Sequence, residues 1–321
     1  MAEVTVIGAG VAGLWAAWEL VRRGITPRLI DRAGGPGPEG CSWWAGGMLA
    51  PDCEGALAEP PVVAHGAKAA DRWAEVTPVA RKGSLVTTLE RDRGEIAQFA
   101  SRTTGHSPVN ARDLEPDLPD GPGLFFAAEA HLDPRRALLD LAAALAARGV
   151  RIETAEATPA DIPGPVLDCR GMAASGDLPH LRGVRGEMVV LRTSDIALSR
   201  PIRLLHPRHP LYIVPREDGG FMLGAPQIES ERRGPVTARS LLELLSAAYA
   251  LSPVFAEAEV LETGADLRPA FPDHLPRVVR RGRVLHLNGL FRHGFLMAPA
   301  LAATAADYLH TGRKGGLFHE D

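Results

Sequence analysis

The 321-residue sequence predicts an α/β protein in which a Rossmann-like dinucleotide-binding domain is interrupted by an inserted α+β domain built on a largely antiparallel sheet. Three observations lead to this fold class. A β-branched run, a glycine-rich turn and a helical stretch open the chain. Period-two runs typical of strands fill residues 184–262, and a strand, a glycine turn and an apolar helix close the chain. The strand–helix pattern at both ends indicates one discontinuous domain around an insertion.

The first predicted unit is a strand, EVTVI, followed by GAGVAG and the helical stretch LWAAWELVRRG. Gly8, Gly10 and Gly13 have the GxGxxG spacing. The first glycine permits a tight turn, the second lets the backbone approach a pyrophosphate, and the third lets the helix pack on the strand. Val11 and Ala12 lie between them at the helix N-terminus, where free N–H groups favour a phosphate. The unit predicts dinucleotide binding, against the alternative of a purely structural glycine turn.

The second predicted strand, PRLID, ends on Asp31, with Arg32 directly after it. An acidic side chain at this distance from the glycines binds the ribose hydroxyls of an adenosine. An Asp rather than a basic residue disfavours a 2′-phosphate, so the residues alone leave NAD or FAD open.

The later elements follow in order. Helical spacing appears near residues 64–75 and from Asp133-Pro134 to Gly149, and GSLVTTL, VRIET and GPVLDCRGM are predicted strands. RGEMVVLRT, PLYIVPR and GGFMLGA alternate with period two, with EDGG as a hairpin turn, and SLLELLSAAYAL is a long helix. RVVRRGRV is predicted to be a solvated hairpin. RVLHLN, a glycine turn and a closing helix complete the chain.

Composition narrows the function classes. The chain is 45% hydrophobic and 23% charged, with a formal net charge of −4, so nothing predicts nucleic-acid or membrane binding. The cysteines, Cys41, Cys53 and Cys169, form no CxxC pair, which favours reduced thiols and a cytoplasmic protein. The N-terminus resembles neither a signal peptide nor a membrane span. No His/Cys/Asp cluster has metal-ligand spacing, so no metal is predicted.

Two adjacent tryptophans stand in GCSWWAGGMLAP, beside small residues that let the backbone approach something large and flat. Together with GxGxxG, HLDPRRALLDL, YIVPREDGGFMLGA, LRPAFPD and GLFRHGFLMAPALA, this segment resembles the D-amino-acid-oxidase-type FAD-dependent oxidoreductases. The similarity covers nearly the whole chain, and it is greatest to the glycine oxidase branch associated with thiamine biosynthesis. Trp43 is predicted to be core, Trp44 is left open, and Pro226-Gln227 departs from the usual pattern of the branch.

The resemblance implies FAD rather than NAD. It also implies cofactor contacts beyond the phosphate loop, at Ser42, Ala45, Gly46, Gly47, Met48, Arg170, Gly171, Arg292, His293, Gly294, Phe295 and Leu296. Since no cysteine lies in the last third of the chain, a C-terminal thioether is excluded and the FAD is expected to be non-covalent. The FAD-binding domain is predicted over 1–76, 131–183 and 264–321, and the substrate domain over 77–130 and 184–263.

Arg268 and Arg292 lie in apolar segments, and a buried guanidinium needs an anion nearby. For Arg268 the resemblance implies a substrate carboxylate, held by the planar guanidinium fork. A salt bridge to an Asp or Glu, such as Asp266 or Asp273, is the alternative. Arg292 is either a secondary charge for the substrate or a salt-bridge residue. Tyr212 maps to a hydroxyl of the same pocket, although a half-buried strand tyrosine would give the same pattern.

The resemblance therefore predicts oxidation of glycine and other small amino acids to the imine or 2-oxo acid. O2 is the expected acceptor, giving H2O2, and glycine imine would pass to a thiazole synthase. No general base is evident, in keeping with hydride transfer from a neutral amine held in line. Alternatives are a D-amino-acid or N-methylglycine oxidase or dehydrogenase, and a flavin-binding subunit without turnover. A homo-oligomer stays open.

Overall fold

The computed structural model describes residues 3–208 and 210–320. Its strands in chain order are β1 (Thr5–Ile7), β2 (Arg28–Asp31), β3 (Met48–Leu49), β4 (Ser84–Thr88), β5 (Ser107–Asn110), β6 (Pro122–Phe126), β7 (Ala130–His131), β8 (Ile152–Thr154), β9 (Val166–Asp168), β10 (Arg182–Arg192), β11 (Ile202–Leu205), β12 (Leu211–Pro215), β13 (Gly220–Gly224), β14 (Glu259–Ala270), β15 (Arg277–Arg281), β16 (Val284–Asn288) and β17 (Phe318–Glu320). Its α-helices are α1 (Val11–Arg22), α2 (Pro51–Glu54), α3 (Pro60–Gly66), α4 (Ala69–Ala74), α5 (Gly94–Ala100), α6 (Ala111–Leu114), α7 (Pro134–Ala146), α8 (Ala238–Leu251) and α9 (Gly294–Thr311).

The first sheet has seven strands in the order β17-β15-β16-β9-β1-β2-β8. Apart from the β15–β16 hairpin, its neighbouring strands are parallel. Helices α1, α7 and α9 pack together with residues of this sheet in the largest hydrophobic core of the described chain. Because parallel strands end at the same edge, the turns after β1, β2 and β9 come together there.

The second sheet has eight strands in the order β14-β10-β13-β12-β11-β4-β6-β5. All its neighbours are antiparallel except β11 and β4. Helix α8 packs on one face of this sheet, around Leu244, Ala248 and Leu251. The other face turns toward the first sheet and carries the side chains discussed below. The predicted fold class is confirmed: a Rossmann-like sheet interrupted by a largely antiparallel one.

Two predictions need adjustment, and the domain limits stay a prediction. Residues 64–75 form two short helices, α3 and α4, rather than one. The RVVRRGRV hairpin forms, but it is only partly solvated: its turn is exposed, whereas β15 joins the first sheet and buries Val278 and Val279. The domain limits at 183/184 and 263/264 fall inside β10 and β14, so the division into domains stays a prediction.

Helix ends follow the sequence signals. Asp133 caps α7 by accepting hydrogen bonds from the backbone N–H groups of Arg135 and Arg136. Gly24, with φ +75°, follows the last turn of α1 as predicted. Within the described residues, every helix is too short or too polar to cross a bilayer.

Candidate active site

One cavity of about 670 Å³ lies between the two sheets. Its lining brings together every predicted site residue except Gly13, drawn from segments far apart in sequence: Gly8, Gly10, Val11, Ala12, Asp31, Arg32, Ser42, Ala45, Gly46, Gly47, Met48, Arg170, Gly171, Tyr212, Arg268, Arg292, His293, Gly294, Phe295 and Leu296. Gly13 faces the strand instead, where a Cβ would overlap the carbonyl oxygen of Gly8. Its place agrees with the packing role that the GxGxxG spacing predicts.

The phosphate loop has the expected backbone. Gly8 has φ +101°, and a Cβ there would lie 2.6 Å from the carbonyl oxygen of Cys169. At Gly10 a Cβ would meet only the Oγ of Ser42, at 3.3 Å, so this glycine faces the cavity. Ser42 Oγ also accepts a hydrogen bond from the backbone N–H of Val11 at 3.1 Å. Since the first N–H groups of a helix lack intrahelical partners, the α1 N-terminus offers donors to an anion.

Asp31 ends β2 at the mouth of this loop, and its carboxylate is already engaged with backbone. Oδ2 accepts from the N–H of Ala9 at 2.8 Å, and Oδ1 accepts from the N–H of Ala33 at 2.8 Å. A carboxylate has about four lone-pair sites, so two accepted bonds leave capacity for ribose hydroxyls. Arg32 is exposed at the cavity edge.

The two tryptophans form a stacked unit with Arg135. The guanidinium carbon of Arg135 lies 5.0 Å from the ring centroid of Trp43 and 5.2 Å from that of Trp44. Trp43 packs against the large core, as predicted. The ring of Trp44 occupies the space that a side chain at Gly264 would need. Trp44 therefore joins the tryptophan segment to β14, while Arg135 also pairs with Glu262 at 2.8 Å.

The small-residue segment after the tryptophans fits a flat ring. Gly46 and Gly47 are buried, and no acceptor for either N–H is found among the described residues. Buried N–H groups are almost always paired, so two free donors at a cavity indicate a missing acceptor. Helix α9 begins at the same cavity, with no side-chain cap at His293. The residues present thus fit a dinucleotide with an aromatic ring that accepts hydrogen bonds.

Arg170 lines the cavity as predicted for a cofactor contact, but its guanidinium is engaged with protein carboxylates. Its guanidinium donates to both oxygens of Asp168, at 2.8 and 2.9 Å, and to Asp177 at 2.6 Å. His286 Nδ1 lies 2.9 Å from the same Asp168 carboxylate. These carboxylates occupy the Arg170 fork, so it braces the end of β9 while Gly171, with φ +57°, forms the cavity wall.

Arg268 is a buried cation that lines the cavity and could bind a ligand anion there. It lies on β14 with its guanidinium over the backbone of Gly186, where any Cβ would overlap it. Among the described residues no carboxylate lies within ion-pair distance of Arg268. Of the two predicted candidates, Asp266 pairs with Arg233 and Asp273 pairs with Arg277. Burial lowers the pKa of the Arg268 guanidinium, which is the expected effect of removing a cation from water.

Tyr212 lines the same cavity as Arg268, and the two side chains interact electrostatically. Its ring covers two glycines: a Cβ on Gly46 would lie 3.0 Å from Cε2, and one on Gly224 would lie 2.6 Å from the hydroxyl oxygen. Burial raises the pKa of the Tyr212 phenol, so the hydroxyl keeps its proton and can donate at neutral pH. The cation of Arg268 acts in the opposite direction but does not reverse the shift.

Arg292 has a protein partner that the sequence did not predict. It donates to Glu54 Oε2 at 2.6 Å, and Arg203 donates to Glu54 Oε1 at 2.7 Å. Burial alone would raise the pKa of Glu54, but Arg292 and Arg203 together hold it well below its usual value. Burial also lowers the pKa of the neighbouring His293 to about 4, so the imidazole is neutral at pH 7. The pairing of Arg292 therefore favours the salt-bridge alternative, with Glu54 in place of Asp266 or Asp273.

Sequence reasoning missed Glu54, Arg203 and Gly186. Arg203 pairs across the sheet with Tyr212, which pairs in turn with Gly224, so the three share one face. Had β11 been recognised, strand alternation would have placed Arg203 beside Tyr212. Nothing local marks Glu54 or Gly186, because their partners come from distant segments.

Comparison with known proteins agrees with this geometry. The family described as FAD dependent oxidoreductase (DAO) matches residues 3–308. The "Putative thiamine biosynthesis oxidoreductase ThiO" of Rhizobium etli is 53% identical over 96% of this chain and 97% of that protein. The glycine oxidase of Pseudomonas aeruginosa is 26% identical over 97% of this chain and 95% of that protein.

Among solved structures, iminodiacetate oxidase from Chelativorans sp. BNC1 superposes with a TM-score of 0.82 at 21% identity, covering 99% of each chain. At that identity the likeness shows the fold alone. The family match and the 53% identical relative go further, because each covers almost the whole chain. The chain therefore belongs to the DAO family of FAD-dependent oxidoreductases.

Proposed function

We propose that this protein oxidises glycine and other small amino acids to the imine or 2-oxo acid, with O2 reduced to H2O2. The observation that carries the proposal is the buried Arg268 guanidinium, which lines the cavity and has no carboxylate partner among residues 3–208 and 210–320. A desolvated guanidinium is stable only beside an anion, and its fork matches a carboxylate. The glycine oxidase and ThiO relatives support an amino acid as the source of that carboxylate.

Bound FAD would supply the redox chemistry, taking up the two electrons that the substrate loses with its α-hydrogen when the amine becomes an imine. Gly8, Gly10, the α1 N-terminus and the Gly46–Gly47 segment would hold it. Arg268 would bind the substrate carboxylate, and the Tyr212 hydroxyl would donate to the same group. Together they would fix the α-carbon, and positioning of this kind accounts for much of the rate.

Neither Glu54 nor His293, the ionisable neighbours of Arg292, is placed to act as a base. Glu54 stays ionised but shares its oxygens with Arg203 and Arg292, which makes it a poor proton acceptor. His293 is neutral and 3% exposed at its side chain. The substrate amine would therefore enter in its neutral form, and the imine would be hydrolysed in water or passed to a thiazole synthase. The thiamine-biosynthesis name of the 53% identical relative supports the second fate.

The test is anaerobic mixing of the holoenzyme with glycine, N-methylglycine, D-alanine and iminodiacetate, with the flavin absorbance followed over time. Glycine should bleach the flavin fastest, and admission of air should restore the colour with one H2O2 formed per turnover. Faster bleaching by D-alanine or N-methylglycine would move the assignment to those oxidases. Recovery only with an artificial acceptor would make the protein a dehydrogenase.

A flavin that no member of this panel reduces would overturn the proposal in favour of a binding subunit without turnover. The same preparation tests the attachment of FAD. Acid precipitation should leave the yellow flavin in the supernatant, because no cysteine is available in the last third of the chain. Flavin that stays with the precipitate would contradict non-covalent binding.

A further inference from the structure

Arg216, directly after β12, is a buried cation that donates mainly to backbone. Its guanidinium donates to the carbonyl oxygens of Gly46 at 3.1 Å, Leu132 at 3.3 Å and Ala45 at 3.4 Å. A carboxylate of Asp133 lies farther away, 3.8 Å from Nε, and only 12% of the Arg216 side chain is exposed. Although burial lowers its pKa, an arginine remains protonated in proteins. A fixed positive charge therefore stands against one side of the Ala45–Gly47 segment.

The opposite side of that segment faces the large cavity. Gly46 and Gly47 line the 670 Å³ cavity, whereas Arg216 and Asp133 line a separate space of about 190 Å³. Ala45 borders both. The segment is thus a wall one peptide thick, with a cation behind it and the cofactor cavity in front.

Peptide geometry determines what this wall presents to the cavity. In a planar trans peptide the C=O and N–H bonds point in opposite directions. Since the carbonyls of Ala45 and Gly46 point at Arg216, the N–H groups of Gly46 and Gly47 point away from it. These are the two buried donors for which the described residues offer no acceptor. A cation at the oxygen end of an amide also polarises its N–H end.

We propose that Arg216 is a positioning residue for the flavin, which orients and polarises the Ala45–Gly46 and Gly46–Gly47 peptides as hydrogen-bond donors to the ring. The inference rests on FAD lying along this segment, as in the proposed function. Reduction adds negative charge to the flavin, so stronger donors and a nearby cation favour the reduced form. Arg216 does not line the cavity, so its effect on the flavin can be measured in the absence of substrate.

The test measures the two-electron reduction potential of bound FAD, by anaerobic dye equilibration without substrate, in wild type, Arg216→Gln and Arg216→Lys. Arg200→Gln is the matched control, because Arg200 is 13% exposed and pairs with Glu115 away from the cavity. Arg216→Gln should lower the equilibrium constant for flavin reduction at least tenfold, equivalent to about 30 mV for a two-electron couple. Arg216→Lys should recover at least half of the shift, since it keeps the charge, and Arg200→Gln should leave the potential unchanged.

If Arg216→Gln is isolated without flavin, FAD titration of the apoproteins replaces the potential. Weak binding in Arg216→Gln with near-normal binding in Arg216→Lys and Arg200→Gln supports the inference. Three results overturn it: an unchanged potential and FAD affinity in Arg216→Gln, equal losses in the Gln and Lys variants, or an equal shift in Arg200→Gln. Because no substrate is used, these results stand apart from the panel that tests glycine oxidation.

Discussion

The two walls of the cavity present different groups to a ligand. On the side of the first sheet, these groups are backbone: the turn at Gly8, the α1 N-terminus and the N–H groups of Gly46 and Gly47. On the side of the second sheet they are long charged or aromatic side chains, with Arg268 and Tyr212 projecting over glycines. A backbone site requires the absence of side chains, whereas a side-chain site requires particular ones. The two walls should therefore fail differently under mutation.

The largest expected effect is on the backbone wall. Gly10→Val should abolish FAD retention, because the new side chain points into the cavity where a pyrophosphate would approach. The absorbance ratio at the flavin and protein bands should fall at least about tenfold, while the thermal unfolding of the apoprotein stays near wild type. A variant purified with full flavin content would place the cofactor elsewhere.

Gly13→Ala is the contrasting change on the same loop. Its Cβ would overlap the Gly8 carbonyl, so this variant should lose the fold itself and not merely the cofactor. Circular dichroism of both apoproteins separates the two outcomes. Equal unfolding temperatures for the two variants would mean that the glycines do not have the separate roles described here.

The next effect is on the side-chain wall. Arg268→Ala should leave FAD bound but reduce kcat/KM for glycine roughly 30-fold to several thousand-fold, since an unpaired buried charge costs about 2–5 kcal/mol. Lys should recover part of this, keeping the charge without the fork. Steady-state oxidation and flavin perturbation by a small carboxylate inhibitor provide the measurements. Near-normal kinetics together with normal inhibitor binding would make Arg268 a structural residue.

A smaller effect on kcat/KM is expected at Gly186, which leaves the space that the Arg268 guanidinium occupies. Gly186→Ala should push the flexible end of Arg268 aside without removing its charge. Displacement of a positioning group by about 1 Å costs up to about 100-fold, so kcat/KM should fall roughly 10- to 100-fold with FAD content unchanged. Gly176→Ala is the control, as a Cβ there meets nothing within 4 Å. Unchanged kinetics in Gly186→Ala would show that the Arg268 side chain can move aside without losing its position relative to the substrate.

The smallest expected effect is on the pH dependence of stability, through the buried carboxyl group of Glu129. Burial raises the pKa of Glu129 to about 7 from an ordinary value of 4.5. Between those values the folded state holds more protons than the unfolded chain, so this group's contribution to stability is lost as pH rises from about 4.5 to 7. Glu129→Gln should remove that slope and gain about 1–3 kcal/mol relative to wild type between pH 5 and pH 8.

Urea unfolding of the apoproteins at both pH values measures this slope. Exposed Glu257→Gln is the matched control, and it should follow the wild-type slope. A Glu129→Gln variant with that same slope would mean that the carboxyl titrates normally despite its burial.

The contrast between the walls also explains what could be predicted from sequence. The GxGxxG loop, Asp31 and the helix that begins after Asp133 are local patterns. In such patterns, residues that are close in sequence are also close in the structure. They were placed correctly for that reason. The period-two runs gave the second sheet in the same way, although one predicted helix at 64–75 proved to be two.

Partners across the cavity could not be predicted so well. Arg292 was assigned to the cofactor and to either the substrate or a salt bridge with an Asp or Glu, and the acid it pairs with is Glu54, more than two hundred residues earlier. The guanidinium of Arg170 pairs with Asp168 and Asp177, which the sequence did not indicate, while its predicted contact with the cofactor stays a prediction. The sequence around a buried arginine indicates that it needs an anion. Whether that anion belongs to the protein or to a ligand depends on which distant segments the fold brings close to it. Arg268 differs from both because no carboxylate of the described chain reaches it.

The register of β14 sets where the chain can change its length. Its pairing with β10 runs without a break from Ala270 to Glu262, and the shift in register comes only between Val190 and Leu191. One residue inserted between that bulge and Arg268 would turn the guanidinium to the opposite face of the sheet. An insertion before Glu259 would instead be absorbed in the loop and the bulge. The connection from α8 into β14 can therefore lengthen or shorten while the arginine stays in the cavity.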